Sequence, residues 1–155
     1  GIEKLRATLI AQGAYLEDIE TTYPYAGEWY DEAVQQLMDY GLIFGRYDNN
    51  LLVDNPSTVQ YFTNLIADTL YRTNRSTYDV NEELILIAKE EAVSRAKEEL
   101  TPEATLQVLT GMLNVSAEEL LANADFKEAW SYVEVEQQIK LKHVYSIAHA
   151  LMTFE

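Results

Sequence analysis

The stretch from Glu28 to Arg72 constrains this chain more than any other, because it reads as a helix, a stiff loop and a second helix. Trp29, Ala33, Leu37 and Gly41 sit four apart, so they line one helix face. Gly41 falls where a helix end wants a left-handed residue. Leu42 and Ile43 are apolar and can plug the loop into a core, and Gly45 permits a second sharp turn. Pro56 and Ser57 open the next helix, with Ser57 and Gln60 spaced as a capping box. The two helices are expected at about 28–41 and 57–73.

This pattern resembles an S-layer homology (SLH) module, a bacterial cell-wall-anchoring repeat. Trp29, Gly41-Leu42-Ile43-Phe44-Gly45, Asp48, Leu51, Pro56, Thr58 and Phe62 fall into the family's frame, over roughly a third of the chain. The Arg and Glu of the family's Thr-Arg-Ala-Glu are Val59 and Tyr61 here. In that family the Arg takes part in holding an anionic wall polysaccharide; Arg46, the only cation of the loop, would have to substitute for it. The resemblance implies a non-enzymatic binding or anchoring module at the cell surface, outside the cell. Its groove would lie near Trp29, Gly45, Arg46, Thr58 and Tyr61, with cell-wall polysaccharide or a protein as partner. A second expectation is a structural assembly subunit, a homo-oligomer building a layer or filament through tyrosine-rich and small-residue helix faces.

At 155 residues one domain is expected, and 48% apolar content supplies a core. No apolar run approaches a membrane span; Leu84-Ile85-Leu86-Ile87-Ala88 is far too short. The net charge of −15 repels phosphate backbones, which argues against nucleic acid, and it equally repels an anionic polymer unless Arg or Ca²⁺ compensates. There are no cysteines, so disulfides and thiolate metal sites are excluded. Gly1 in place of Met is read as a sign of processing or as an expression scar; no signal peptide is seen, but a mature secreted chain would already have lost it.

The remainder reads as helical, giving an all-α bundle of six or seven helices around the helix–loop–helix, with 79–155 as helical remainder or eroded repeats. Residues 2–18 carry Ile2, Leu5, Leu9 and Leu16 at helical spacing, and 20–27 read as a linker. Asp79 and Glu82 suggest a capped helix running to about Glu99, with Ile85, Ala88, Ala92 and Ala96 on one face. Thr101-Pro102-Glu103 starts another that ends near Gly111, and Ser116 caps a short one. Asp125 and Glu128 open a last helix to about Met152, with a break expected near Gln137-Gln138. Leu51-Leu52-Val53 is the one faint strand signal. Thr101 echoes Thr58, and Ala129-Trp130 echoes the Trp29 position, as eroded copies would.

Trp29 is read either as a core anchor or as a sugar-stacking platform. Nine of the eleven tyrosines precede residue 79, and Tyr23-Pro24-Tyr25 lies in the linker, where a binding surface is favoured. Asp48, Asn49, Asn50, Asp54 and Asn55 offer oxygens for Ca²⁺, but the spacing fails the EF-hand rule and turn chemistry accounts for them; no cofactor and no metal site is assigned. His143 and His149, six apart on a helix, point to different faces and are read as exposed or interface side chains, with no acid at a fixed offset to make either a base. Glu90-Glu91, Glu98-Glu99 and Glu118-Glu119 read as solvated helix faces; hydrolysis of a glycoside would need two carboxylates facing across a cleft. No residue is assigned a catalytic role.

Overall fold

The computed structural model describes residues 24–45, 50–73 and 81–152. Within them the chain forms seven helices and no strands. They are α1 (Asp31–Asp39), α2 (Val59–Thr73), α3 (Glu82–Ser94), α4 (Pro102–Leu113), α5 (Ala117–Ala122), α6 (Ala124–Glu136) and α7 (Leu141–Met152). The helix expected over 2–18 lies outside the described residues, as do Tyr23, Arg46, Asp48, Asn49 and Asp79.

Two helices form the centre. In α7 every residue from His143 to Ala148 is buried, and so are Ala150, Leu151 and Met152. A helix apolar nearly all round must be covered on all sides, and α1, α6 and α2 all pack on it. The other central helix, α2, presents Phe62, Ile66 and Leu70 to the core and packs on α3, α4 and α7. Its buried Thr63 and Thr69 donate their hydroxyls back to the carbonyls of Val59 (2.8 Å) and Leu65 (2.7 Å), so neither polar group is left unpaired.

Local chemistry sets the helix ends. Gly41 terminates α1 at φ +69°; its N–H donates to the Met38 carbonyl, and the Leu42 N–H donates to that of Leu37. That pair of bonds is a Schellman motif, and it delivers Ile43 into the core. Helix α1 is shorter than expected and starts at Asp31, so Trp29 sits in the turn before it. At the start of α2 the cap is Thr58 rather than Ser57: Thr58 Oγ1 accepts the Tyr61 N–H at 3.1 Å, while Ser57 Oγ donates to the Thr58 carbonyl. Thr101 plays the same part for α4, accepting the Ala104 N–H at 3.1 Å, and Ser116 for α5, accepting that of Glu119. The echo of Thr58 at Thr101 therefore has a physical counterpart. The tryptophan echo does not: Trp130 is buried within α6, stacked on Phe126 with centroids 5.9 Å apart.

Helix α3 begins on an Asn81 cap and stops at Ser94, short of Glu99, where Arg95 turns back to grip Glu98 through two hydrogen bonds. The long final helix is two. Gln137, left-handed at φ +56°, ends α6, and α7 restarts at Leu141. The loop at 51–53 makes no strand; instead it takes the first N–H groups of α7. Leu141 donates to the Asn55 carbonyl (2.9 Å) and Lys142 to that of Val53 (3.0 Å). On the other side, Leu100 donates to the Ser57 carbonyl (2.8 Å) and Val59 to that of Glu98 (2.9 Å). The openings of α2, α4 and α7 are thus joined through the loop that precedes α2, and the backbone groups a helix start leaves unpaired are satisfied there.

Candidate binding grooves

Two grooves flank α7. The first, of about 310 Å³, is lined by Leu51, Leu52, Pro56, Leu141 and Tyr145, with Phe44 and Tyr61 at its rim. Phe44 is 81% exposed and Tyr61 41%, a large apolar area left in water by two rings of one groove. The Tyr61 hydroxyl lies beside that of Tyr145, which donates to the Leu51 carbonyl at 3.0 Å. Burial raises the pKa of both phenols, so both stay neutral donors at ordinary pH. Asn50, Ser57 and Thr58 complete the lining, which among the described residues contains no Asp, Glu, Lys, Arg or His. Leu52 is held at φ +54°, a left-handed conformation uncommon for a leucine, with its N–H bound to Asn50 Oδ1 (2.9 Å) and its carbonyl to the Asn55 N–H (2.9 Å). The Asn50 side chain thus serves turn chemistry, Asn55 closes the turn through its backbone N–H, and Asp54 is paired with Lys142 at 3.1 Å.

The second groove, of about 230 Å³, lies between α1, α6 and α7 and is lined by Trp29, Glu32, Asp125, Glu128, Tyr132 and His149 among others. Trp29 stacks on Tyr132 with centroids 3.8 Å apart and planes 5° from parallel. Glu32 comes from α1, Asp125 and Glu128 from α6, so this is where carboxylates from two walls share a cleft. Burial pulls the His149 pKa down, against the pull of Glu32 and Asp125. Among the described residues no three His, Asp or Glu side chains are grouped closely enough to hold a metal ion.

The sequence-derived site residues therefore separate. Thr58 and Tyr61 line the first groove, while Trp29, half-buried, lines the second. Gly45, half-buried, follows Phe44 at the end of the described stretch, and Arg46 lies beyond it. Tyr25 is no surface ring: it is buried, and its hydroxyl accepts the Leu51 N–H at 2.8 Å, propping the loop from beneath. Tyr30 is buried too, and burial together with Glu28 and Asp54 pushes its pKa up to about 12.

His143 is neither exposed nor at a surface: its side chain has no solvent contact. Its Nδ1 accepts the Lys140 N–H at 2.9 Å, and its Nε2 faces Glu136 Oε2 at 2.5 Å without straight hydrogen-bond geometry. The acid lies seven residues earlier, on the far side of the Gln137 turn, a separation at which no helical offset signals a partner. Comparison with known families, with curated proteins and with solved structures finds no match to this chain.

Proposed function

We propose that this chain is a non-enzymatic binding module of the cell surface, and that it holds the uncharged face of a saccharide in the groove between Phe44, Thr58, Tyr61 and Tyr145. The observation that carries this reading is the pair Phe44 and Tyr61, exposed at the rim of a groove in whose lining, among the described residues, none is charged, in a chain of net charge −15. Rings with hydroxyls at their edges suit pyranose faces, which are apolar across the ring and polar around it. The SLH-like frame supports the same role, because Phe44, Leu51, Pro56 and Thr58 belong to both the frame and the groove, although Tyr61 stands where the family has Glu. Arg46 is the cation by which an anionic wall polymer would be tolerated. The test is a pull-down with bacterial cell-wall sacculi, with the secondary polymer present or stripped, using wild type, Phe44→Ala, Tyr61→Ala and Arg46→Ala. Binding is expected to vanish on stripping and to fall about tenfold or more for either ring variant, as for an aromatic ring that stacks on the ligand. Absence of binding by wild type in every condition would overturn the reading.

A second reading, assembly with other protein chains, is favoured by one separate observation. Leu86, Ile87 and Val93 are exposed on α3, and Ile87 lines a groove together with Ala88, Ala92 and Gly111. Light scattering across a concentration series tests it, and a strict monomer at high concentration counts against it.

A further inference from the structure

His143 sits at the third position of α7 and reaches back to the N–H of Lys140, the residue before the helix. That is the part a Glu or Gln plays in a capping box. An imidazole can play it only while Nδ1 carries no proton, so the single proton of the neutral ring belongs on Nε2, facing Glu136 Oε2. Protonation adds a hydrogen at Nδ1. Two donors, Nδ1–H and the Lys140 N–H, would then point at each other across 2.9 Å in a site without solvent, and the backbone group would be left unpaired.

From this geometry we propose that His143 is an acid-sensitive latch: a proton at Nδ1 releases the first turn of α7 from the loop at 53–55. The released contacts are the bonds from Leu141 to Asn55 and from Lys142 to Val53. Leu141 and Tyr145 also wall the first groove, so the latch holds that groove shut to rearrangement at neutral pH. The consequence for ligand retention rests on the saccharide reading; the latch itself does not.

The charges around the ring set the direction. Glu136 of α6 favours the protonated ring. Lys142 of α7, itself held by Asp54 of the loop and by Glu136, opposes it, as does Lys140 of the turn. On the α1 side the neighbour is the uncharged Trp29 indole, 5.6 Å away and tilted 47°. Burial is the largest influence and lowers the pKa of the folded ring below its ordinary value near 6.5. The released state therefore takes up the proton more readily. The latch is at full strength above about pH 6.5 and weakens as the pH falls below it.

The test is amide hydrogen exchange at Leu141 and Lys142 on the full chain between pH 5 and 8, with each rate divided by the unstructured rate at that pH. In wild type the protection is expected to fall about tenfold per pH unit between the unfolded and folded pKa values. His143→Gln supplies an acceptor that does not titrate, so its protection is expected to stay flat, while His149→Gln keeps the wild-type profile. The same profile in wild type and His143→Gln would overturn the proposal. Imidazole ¹⁵N shifts of the wild-type chain provide a reading that needs no variant: Nε2–H at pH 7.5 is expected, and Nδ1–H would overturn it.

Discussion

Trp29 is gripped on three sides, by Tyr132 in parallel, by Tyr30 edge-on at 5.1 Å and by His143 at a tilt. Removing the ring takes away both area and stacking, while its partial exposure moderates the loss. Trp29→Ala is expected to lower the unfolding free energy by roughly 2–4 kcal/mol in urea titration. A loss under about 1 kcal/mol would mean that the ring is not structural and is free to serve a ligand. Gln137 makes the opposite prediction. It is exposed and left-handed, so Gln137→Gly relieves a side-chain clash without removing a buried contact, and a gain of about 1 kcal/mol is expected in the same measurement. At this scale the sequence was legible wherever a residue acts on its own backbone. Gly41 was placed correctly because a Schellman ending is local. Tyr25 and His143 were not, since their polar partners arrive from 26 residues downstream in one case and from the preceding helix in the other.

Among the elements, starts were easier to read than ends. Thr101 followed by Pro102 fixes the start of α4 from sequence alone, because a hydroxyl acceptor and a residue lacking an N–H both suit the first turn. Thr101→Ala is expected to cost about 1 kcal/mol by thermal or urea unfolding, since the Ala104 N–H then loses its acceptor. The capping-box spacing of Ser57 and Gln60 points one residue too early for α2, because Ser57 and Thr58 are both hydroxyl residues. The choice is made by the bond from Val59 to the Glu98 carbonyl, which aligns the chain one residue later. The division between α6 and α7 was marked only by the polar pair Gln137-Gln138. What forces it is long-range: the first N–H groups of α7 are claimed by the loop at 53–55, and a continuous helix would have used them internally. For the same reason the two grooves could not be told apart in sequence. Trp29 and Thr58 belong to one helix–loop–helix, yet α7 enters between the surfaces they line.

For the molecule as a whole, 26 acidic residues against 11 basic ones make self-repulsion a standing cost of the folded state. Salt at about 0.5 M shortens the screening length to a few ångströms, so the melting temperature is expected to rise between low salt and that concentration. Ligand binding offers a sharper use of the same charge. A polyanion approaching this surface is repelled, and its affinity would climb as salt is added. A neutral saccharide carries no charge for salt to screen, and among the described residues the lining by Phe44 and Tyr61 has none either, so its affinity should hardly move. Titration calorimetry of the isolated wall polymer at three salt concentrations separates the two. A flat response that is abolished by Phe44→Ala favours the uncharged groove as the point of capture. A response that rises with salt and depends on Arg46 would move the contact to the loop beyond Gly45, leaving the aromatic rim without a saccharide to hold.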